Sequence, residues 1–479
     1  MSTLTALARA QAVAAGRALP IATVRHLHVH QRPLVLIPLA MAGEANAPLA
    51  ALVGSERAEP HLLVVAQPRN RDQRFTFAAD LGARLADYVD AHTRVAEPIA
   101  VDRGRDVRYR YLDAPQLWVP STGGVDFLRL FGRSTRFRGV DGDNPVAPTV
   151  PRLGRWLTFF ANSAQVPGSS LLLNAVQALG LHWATGQSDA EDAKLATLLA
   201  WIDPPEDMSG PAAARVAESG PPAGPATDPE FDNRVLALLI NSGSVPDIVA
   251  VLRDVLTPTW ESMWRTLDLL RALPVGSRVA ARWDGDRDAF SAFVAHLAEG
   301  GPPQPRHEGA VAAAARLHRL ENAAARYAVQ RAFDDPLVMA EYRLTGAAFG
   351  GVVTLVEADR VDHSGKRPVL RPRLLLRTSE PVRVEVGAAL TSPARPSQKA
   401  TVVAVTPAND ETQVWLELSG GMGRKLVAEP GSVPAVGEQL LLTTLSEAYR
   451  PGGSFPDPAD TPWTHGGPPA GHRPVPSQA

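Results

Sequence analysis

Apolar residues in the first 150 positions fall into short runs that alternate with longer helical patterns. Strands are predicted at 23–30, 34–39, 61–66 and 117–119. Helices are predicted at 3–16, 46–52 and 72–91, with another starting over 123–130. Strands that alternate with helices are typical of α/β domains. We therefore predict a small α/β domain over residues 1–148.

The pattern changes from Arg152, where long segments with helical spacing follow one another. The predicted helices are 152–163, 169–183, 189–201, 231–241, 246–256, 258–273, 287–298, 307–331 and 336–343. Tryptophans recur in this part, and we interpret them as core anchors, with a stacking platform for bases or ligands as the alternative: Trp156, Trp183, Trp201, Trp260 and Trp264. The prediction is an α-helical domain over 149–343. It is interrupted at 203–229 by a linker that contains seven prolines.

Short β-branched runs separated by turn residues mark the stretch 344–446. Strands are predicted at 350–358, 368–377, 382–386, 400–406, 412–418 and 440–444. That many strands in so few residues favour a small β-barrel of the OB or SH3-like kind. The proline-rich end, 447–479, is predicted to be a disordered tail. Its Trp463 is a candidate for docking on this chain or on a partner.

The composition narrows the class of protein. At 479 residues, with 45% hydrophobic and 20% charged residues, the chain is expected to form several globular domains. It has no cysteine, which excludes disulfides and thiolate metal sites and fits a cytoplasmic location. No secretory signal and no membrane span are predicted.

Three histidines alternate in the predicted strand 23–30. If that strand forms, His26, His28 and His30 project to one face, where neutral imidazoles can chelate a transition metal. Such a site would support a metal-dependent hydrolase. The simpler interpretation is a histidine-rich strand that binds no metal, and the prediction remains that the chain has no metal or other cofactor.

Two loops resemble known ligand-binding motifs only at first sight. The sequence DGDRD at 284–288 lacks the glycine and glutamate that a calcium loop needs at its sixth and twelfth positions, so its acids are interpreted as the start of the helix at 287. The sequence SGGMGRKL at 419–426 lacks the spacing of a nucleotide-binding P-loop and is interpreted as a β-turn. With no catalytic motif in the chain, an enzyme is not favoured.

Two segments carry excess positive charge. Segment 360–400 has nine Lys or Arg against three acids, and segment 102–155 has ten Arg against six acids with aromatic residues among them. Arginine beside aromatics is typical of grooves that bind single-stranded nucleic acid, although a solvated face beside ordinary core aromatics has the same composition. The candidate nucleic-acid-binding residues are Arg371, Arg373, Arg377, Lys399, Arg424, Lys425, Arg129, Arg133, Arg136 and Arg138.

The basic barrel resembles the accessory barrels of helicases and translocases, through its strand rhythm and charge over about 95 residues. We therefore expect a non-catalytic protein that binds nucleic acid, or an accessory subunit of a nucleic-acid-processing assembly beside a separate helicase or ATPase. Its expected partners are nucleic acid or protein subunits, with no membrane. The alternatives are the metal-dependent hydrolase at the three histidines and a protein scaffold that binds no nucleic acid.

Overall fold

The computed structural model of the chain describes residues 2–43, 47–101, 106–220, 224, 227, 229–447 and 454–456. The described residues form two compact units. The first, here called the sheet unit, runs from residue 5 to 324 and includes 454–456; the second, here called the barrel unit, runs from 325 to 447 and includes residues 2–4. No helix in the described part of the chain is long and apolar enough to cross a membrane.

The sheet unit is built on a five-stranded sheet with the order β4-β3-β2-β7-β8. The strands of the unit are β1 (Leu19–Pro20), β2 (Leu34–Ala40), β3 (Pro48–Gly54), β4 (His61–Val64), β5 (Ala96–Val101), β6 (Asp106–Tyr111), β7 (Leu117–Val119), β8 (Leu172–Asn174) and β9 (Trp183–Ala184). Strands β2, β7 and β8 are parallel, and β3 and β4 continue the sheet in antiparallel pairing. Strands β5 and β6 form a separate hairpin.

Helices cover the two faces of this sheet. The helices of the chain are α1 (Thr3–Ala15), α2 (Arg71–Ala91), α3 (Thr122–Thr135), α4 (Thr149–Ser163), α5 (Ala175–Gly180), α6 (Asp189–Asp192), α7 (Leu195–Ile202), α8 (Gly210–Glu218), α9 (Pro229–Phe231), α10 (Ala237–Ser242), α11 (Val245–Ala272), α12 (Val279–Ala298), α13 (Ala310–Asp334) and α14 (Pro336–Thr345), with a π-helical turn at Asp232–Leu236.

Both faces of the central strands are buried, which gives the unit two cores. All seven residues of β2 are buried; Val35, Ile37 and Leu39 face one core, while Leu34 and Leu36 face the other. The first core is completed mainly by α5, α7 and α11, and the second by α2, α3, α4 and α12. Since β8 and several covering helices lie beyond residue 148, the predicted small α/β domain fits this architecture only loosely.

The predicted strand 23–30 is not a strand. Its alternate amides donate to side chains instead of to a neighbouring strand: His26 N to His182 Nε2, His28 N to Ser170 Oγ and His30 N to Gln116 Oε1. These bonds replace a strand ladder, so the segment in which the three-histidine prediction placed a strand is held by side chains instead.

The helix predicted at 46–52 is also wrong, because Pro48–Gly54 is strand β3, buried along its whole length and paired with β2. Burial between two helical layers favours such a continuous apolar strand over the helix that its alanines suggest. The predicted helix 169–183 is confirmed only over Ala175–Gly180, since Leu172–Asn174 pairs with β7.

One helix begins earlier than predicted, and another is continuous where a break was predicted. Helix α12 begins at Val279, so the acids at 284–288 lie inside it and do not begin it. Helix α11 continues through Pro258, where two helices were predicted. Leu256, Trp260 and Trp264 lie buried on both sides of the proline, and this packing outweighs the ~3 kcal/mol that an interior proline typically costs.

The barrel unit contains the predicted closed barrel, with strand order β10-β13-β16-β15-β14-β17. Its strands are β10 (Ala348–Glu357), β11 (Val361–Asp362), β12 (Val369–Leu370), β13 (Arg373–Thr378), β14 (Ala389–Ser392), β15 (Arg395–Ala408), β16 (Glu411–Ser419) and β17 (Gln439–Thr443). Alternate residues fill its core, among them Leu374, Leu376, Val414 and Leu416. Helix α14 begins as predicted, with the Asp335 carboxylate accepting from Leu337 N.

Two strand predictions in the barrel are corrected. Residues 382–386 pack Val382 and Val384 against the core but join no strand, and the edge they were expected to form is supplied by β14. The predicted strand 368–377 is interrupted at 371–372, so Arg371 lies between β12 and β13 and does not share a strand face with Arg373.

The predicted linker and tail are described only in part. Within 203–229, residues Gly210–Glu218 form α8, with Ala213 and Ala214 buried in the first core. The predicted tail 447–479 lies outside the described residues except for 447 and 454–456, and Trp463 is not among those described. The interior tryptophans match the prediction of core anchors: Trp156, Trp201, Trp260 and Trp264 are buried, and Trp183 packs against the first core.

Candidate nucleic-acid interface

Helices α3 and α4 approach each other closely enough to fix the arginines of α3. A Cβ at Gly154 would lie 2.2 Å from the Arg136 amide nitrogen, and a Cβ at Gly132 would lie 2.9 Å from Thr158 Oγ1. Neither position therefore has room for a side chain. The buried face of α3 is apolar, while Arg129 and Arg133, four residues apart, share its exposed face.

Arg136 connects the end of α3 to a distant loop. Its side chain is 6% exposed, and it donates to Gln304 O at 2.9 Å and to Pro305 O at 3.0 Å. Burial and the neighbouring guanidiniums of Arg133 and Arg306 lower the pKa of Arg136. The residue therefore builds the site, because it holds the segment that places Arg306 beside α3.

The result is a cleft of about 820 Å³ lined by arginines from separate parts of the chain. We call it the arginine groove, and define it by Arg129, Arg133, Arg136, Arg306, Arg316 and Arg319. Among the described residues that line it, Glu308 is the only carboxylate. A second cavity of about 540 Å³ shares Arg133 and Arg306 with the groove and adds Arg138.

Most of these guanidiniums are exposed and lack an acidic partner. Arg129 pairs with Asp126 at 2.6 Å, and Arg316 pairs with Glu308 at 2.8 Å. Within the described part of the chain, Arg133, Arg138, Arg306 and Arg319 make no ion pair. The groove therefore has a positive potential that its own carboxylates do not neutralise.

Aromatic rings accompany the arginines. Phe137 is 36% exposed, and the guanidiniums of Arg136 and Arg306 lie over its ring at 4.9 and 4.6 Å from the centroid. Phe137 lines the second cavity, whereas Phe159 and Phe293 line the groove, stacked on each other with centroids 4.5 Å apart. Cationic side chains beside partly exposed rings can hold phosphates and stack bases in one cleft.

The structure thus brings Arg129, Arg133, Arg136 and Arg138 to one place, as their spacing suggested. Sequence reasoning missed Arg306, Arg316 and Arg319, which complete the groove from the other side. A signal was present, since Arg316 and Arg319 are three residues apart and lie off the apolar seam of their helix. Nothing in the sequence indicated that this helix faces α3.

The candidate nucleic-acid-binding residues on the barrel are partly engaged in ion pairs. Arg373 pairs with Glu417 at 3.2 Å, and Arg377 pairs with Glu411 at 3.2 Å. Arg371 donates to its neighbour's carbonyl, Leu370 O. Lys399, Arg424 and Lys425 are exposed, and Lys399 lies opposite Ser419, next to the glycine turn that precedes the other two. Gly420, Gly421 and Gly423 all have positive φ, as the turn interpretation of 419–426 requires.

The three alternating histidines have different partners. The ring of His26 stacks on His182, and His28 stacks on Trp283 at 4.0 Å. Burial, followed by the nearby His30, lowers the pKa of His28 to about 4, so its imidazole is neutral. His30 reaches a carboxylate, Asp113, with Nε2 2.8 Å from Oδ2.

The acids of DGDRD are bound by protein groups. Arg287 pairs with Asp284 at 2.8 Å, and Arg108 pairs with Asp288 at 2.8 Å. Asp286 is buried and accepts from Ser169 Oγ and Ser170 N. Burial raises the pKa of Asp286 to about 7, against these hydrogen bonds. All three acids are therefore engaged by other groups of the chain.

No protein-family model matches this chain, and no curated protein or solved structure is significantly similar to it. Its function is therefore inferred from its own side chains and their arrangement.

Proposed function

We propose that this protein binds single-stranded nucleic acid in the arginine groove, as a non-catalytic subunit of a nucleic-acid-processing assembly. One observation carries the proposal: guanidiniums from α3, from the loop at 306 and from α13 line one cleft, with Glu308 as its only described carboxylate. These charges come from distant positions in the chain, and Arg133, Arg306 and Arg319 make no ion pair among the described residues, so the cleft favours a ligand that carries several negative charges.

The aromatic residues favour nucleic acid over other polyanions. Phe137 is partly exposed, has two guanidiniums over its ring and lies beside Arg133. Sulfated sugars and acidic peptides would use the arginines alone, whereas unpaired bases also stack on rings. In duplex nucleic acid the bases stack on each other, so a single strand suits the groove better.

The role beside a separate helicase or ATPase is supported only by the resemblance of the barrel at 344–446. Purification of the tagged protein from its native host, with and without nuclease, tests this part. An ATPase that remains bound after nuclease treatment would support the assembly. Protein partners with no bound nucleic acid would favour the scaffold alternative.

Binding to the groove is tested by fluorescence anisotropy with labelled 20-nucleotide single strands of DNA and RNA, a duplex of the same length and heparin as competitor. We expect the single strands to bind more tightly than the duplex. Their log affinity should fall linearly with log salt, at roughly 0.7 per phosphate contact. Absence of binding to all of these nucleic acids at low salt would refute the proposal.

The location of the site is tested by Arg133→Glu, with Arg253→Glu as the matched control. Arg253 is an exposed arginine of the same unit that does not line the groove. Both variants change the net charge equally, so a non-specific effect of charge would weaken binding in both. We expect only Arg133→Glu to weaken it, by roughly tenfold.

A further inference from the structure

We propose that His30, His92 and Asp113 form a binding site for one divalent transition-metal ion. One potential ligand atom from each residue lies within 4.8 Å of the other two. Bonds of about 2.1 Å place the ligand atoms around zinc roughly 3–3.5 Å apart, so the three side chains need little closure. This site is separate from the arginine groove and does not depend on the proposed nucleic-acid binding.

The ring of His92 is held in place by a backbone carbonyl. His92 follows the last residue of α2, and its Nδ1 lies 2.8 Å from Tyr88 O, to which it donates. This bond leaves the lone pair of Nε2 free. A ring nitrogen that donates to a backbone carbonyl while the other binds metal is the usual arrangement of metal-ligating histidines.

Asp113 is held in place by groups that would remain when a metal binds. Its Oδ1 accepts from Ala114 N at 2.9 Å and from Trp283 Nε1 at 3.1 Å. Its Oδ2 is directed at His30 Nε2, at 2.8 Å. The carboxylate therefore has one oxygen fixed by the protein and one directed into the cluster, as supporting hydrogen bonds do at metal sites.

A metal can bind Nε2 of His30 only if the ring proton moves from Nε2 to Nδ1. Nδ1 of His30 accepts from Arg32 N at 3.0 Å, so in the metal-free chain the ring proton is on Nε2 and is donated to Asp113. A metal would occupy the position of that proton, and the neutral ring would then carry its proton on Nδ1. Because Nδ1 would face the Arg32 amide, that amide must turn away. Metal binding is therefore coupled to a local movement at residues 31–32.

The site opens onto a cavity of about 460 Å³, which His30 and His92 line together with His61, Arg84 and Glu59. Three protein ligands leave positions on the cavity side for water or for a small ligand. Two imidazoles and one carboxylate are a donor set suited to zinc or to iron(II). The inferred set differs from the one that alternation suggested, because it keeps His30 and replaces His26 and His28.

The test is titration of the metal-stripped chain with Co²⁺, followed by its visible absorption bands, and with Zn²⁺ by calorimetry. We expect one ion per chain. Affinity should fall by roughly 100-fold or more in Asp113→Asn and in His92→Ala. His61→Ala is the matched control, since His61 lines the same cavity outside the cluster, and it should bind as the unchanged chain does.

Hydrogen exchange of the segment around Arg32 gives a second measurement on the unchanged chain. Metal should alter deuterium uptake there because the Arg32 amide has to leave His30 Nδ1. The proposal is overturned if the unchanged chain shows neither Co²⁺ bands nor heat on addition of Zn²⁺. It is equally overturned if His92→Ala, folded by circular dichroism, binds metal as tightly as His61→Ala does.

Discussion

Segment 360–400 has the larger excess of positive charge in the sequence, yet segment 102–155 supplies the arginines that converge with others in one cleft of the folded chain. On the barrel, Glu417 accepts from both Arg360 and Arg373, and Glu411 pairs with Arg377. In the arginine groove, Arg133, Arg306 and Arg319 have no such partner among the described residues. A count of charges along the chain therefore does not measure how many cations a ligand can reach.

Reversing two charges on each surface tests most directly whether the groove and the barrel differ in nucleic-acid binding. We expect Arg133→Glu with Arg306→Glu to weaken binding of a single-stranded oligonucleotide by roughly 100-fold at low salt. The matched pair Arg373→Glu with Arg377→Glu should weaken it by less than about threefold, because those arginines already bind glutamates. Anisotropy titrations measure both, and equal losses would contradict the difference between the two surfaces.

A smaller effect is expected from Phe137, which lines the cavity beside the groove. Phe137→Ala removes the ring beneath two guanidiniums, and loss of one stacked base typically costs ~1–3 kcal/mol. We therefore expect roughly tenfold weaker binding of single strands and little change for heparin. Phe137→Leu keeps the apolar bulk and serves as the control. Because leucine has no ring, Phe137→Leu should bind as weakly as Phe137→Ala. If it binds as tightly as the unchanged chain, the ring acts only as packing.

The slope of affinity against salt gives a finer measure. Neutralising one phosphate contact should reduce the slope of log affinity against log salt by roughly 0.7 for a single strand. We expect this for Arg319→Ala, together with an affinity loss of a few-fold. Arg360→Ala on the barrel should leave the slope unchanged. An unchanged slope in Arg319→Ala would remove that residue from the contact surface.

The smallest effect is expected from a variant that leaves two barrel arginines without their acidic partner, as in the groove. Glu417→Gln removes the carboxylate that binds Arg360 and Arg373 while keeping the size of the side chain. We expect oligonucleotide affinity to rise by roughly twofold at low salt, since two guanidiniums become available. Glu438→Gln, which releases only Arg395, is the control and should change affinity less.

Sequence reasoning predicted those parts of the fold that local patterns determine. The barrel, helices α2, α4 and α14 and the buried strand β2 follow from apolar spacing and from capping residues such as Asp335. It did not predict β3, whose alanines allow helix or strand and whose state is decided by pairing with β2. Local propensity cannot decide such a segment, because its partner lies elsewhere in the chain.

The functional residues show the same limit. Arg129 and Arg133 were found because they lie within one basic segment, whereas Arg306 reaches them only through the bonds from Arg136 to the loop at 304–305. The metal cluster was suggested through His30 alone, since His92 and Asp113 come from a helix end and from the segment after a hairpin. Spacing along the chain identifies neighbours on one element, and it does not identify contacts between elements.

The barrel closes through very little backbone. Strands β14 and β17 share a single residue pair, Thr391 with Thr443, whereas each of the other neighbouring strands shares at least four pairs. The hydroxyls of these two threonines reinforce the junction by donating to Leu445 O and Ala347 O. We expect the strands to separate first at this junction. The backbone amides of β14 and β17 should therefore exchange with solvent well before those of β13 and β16. We therefore expect the barrel to open between β14 and β17 while its other strands stay paired.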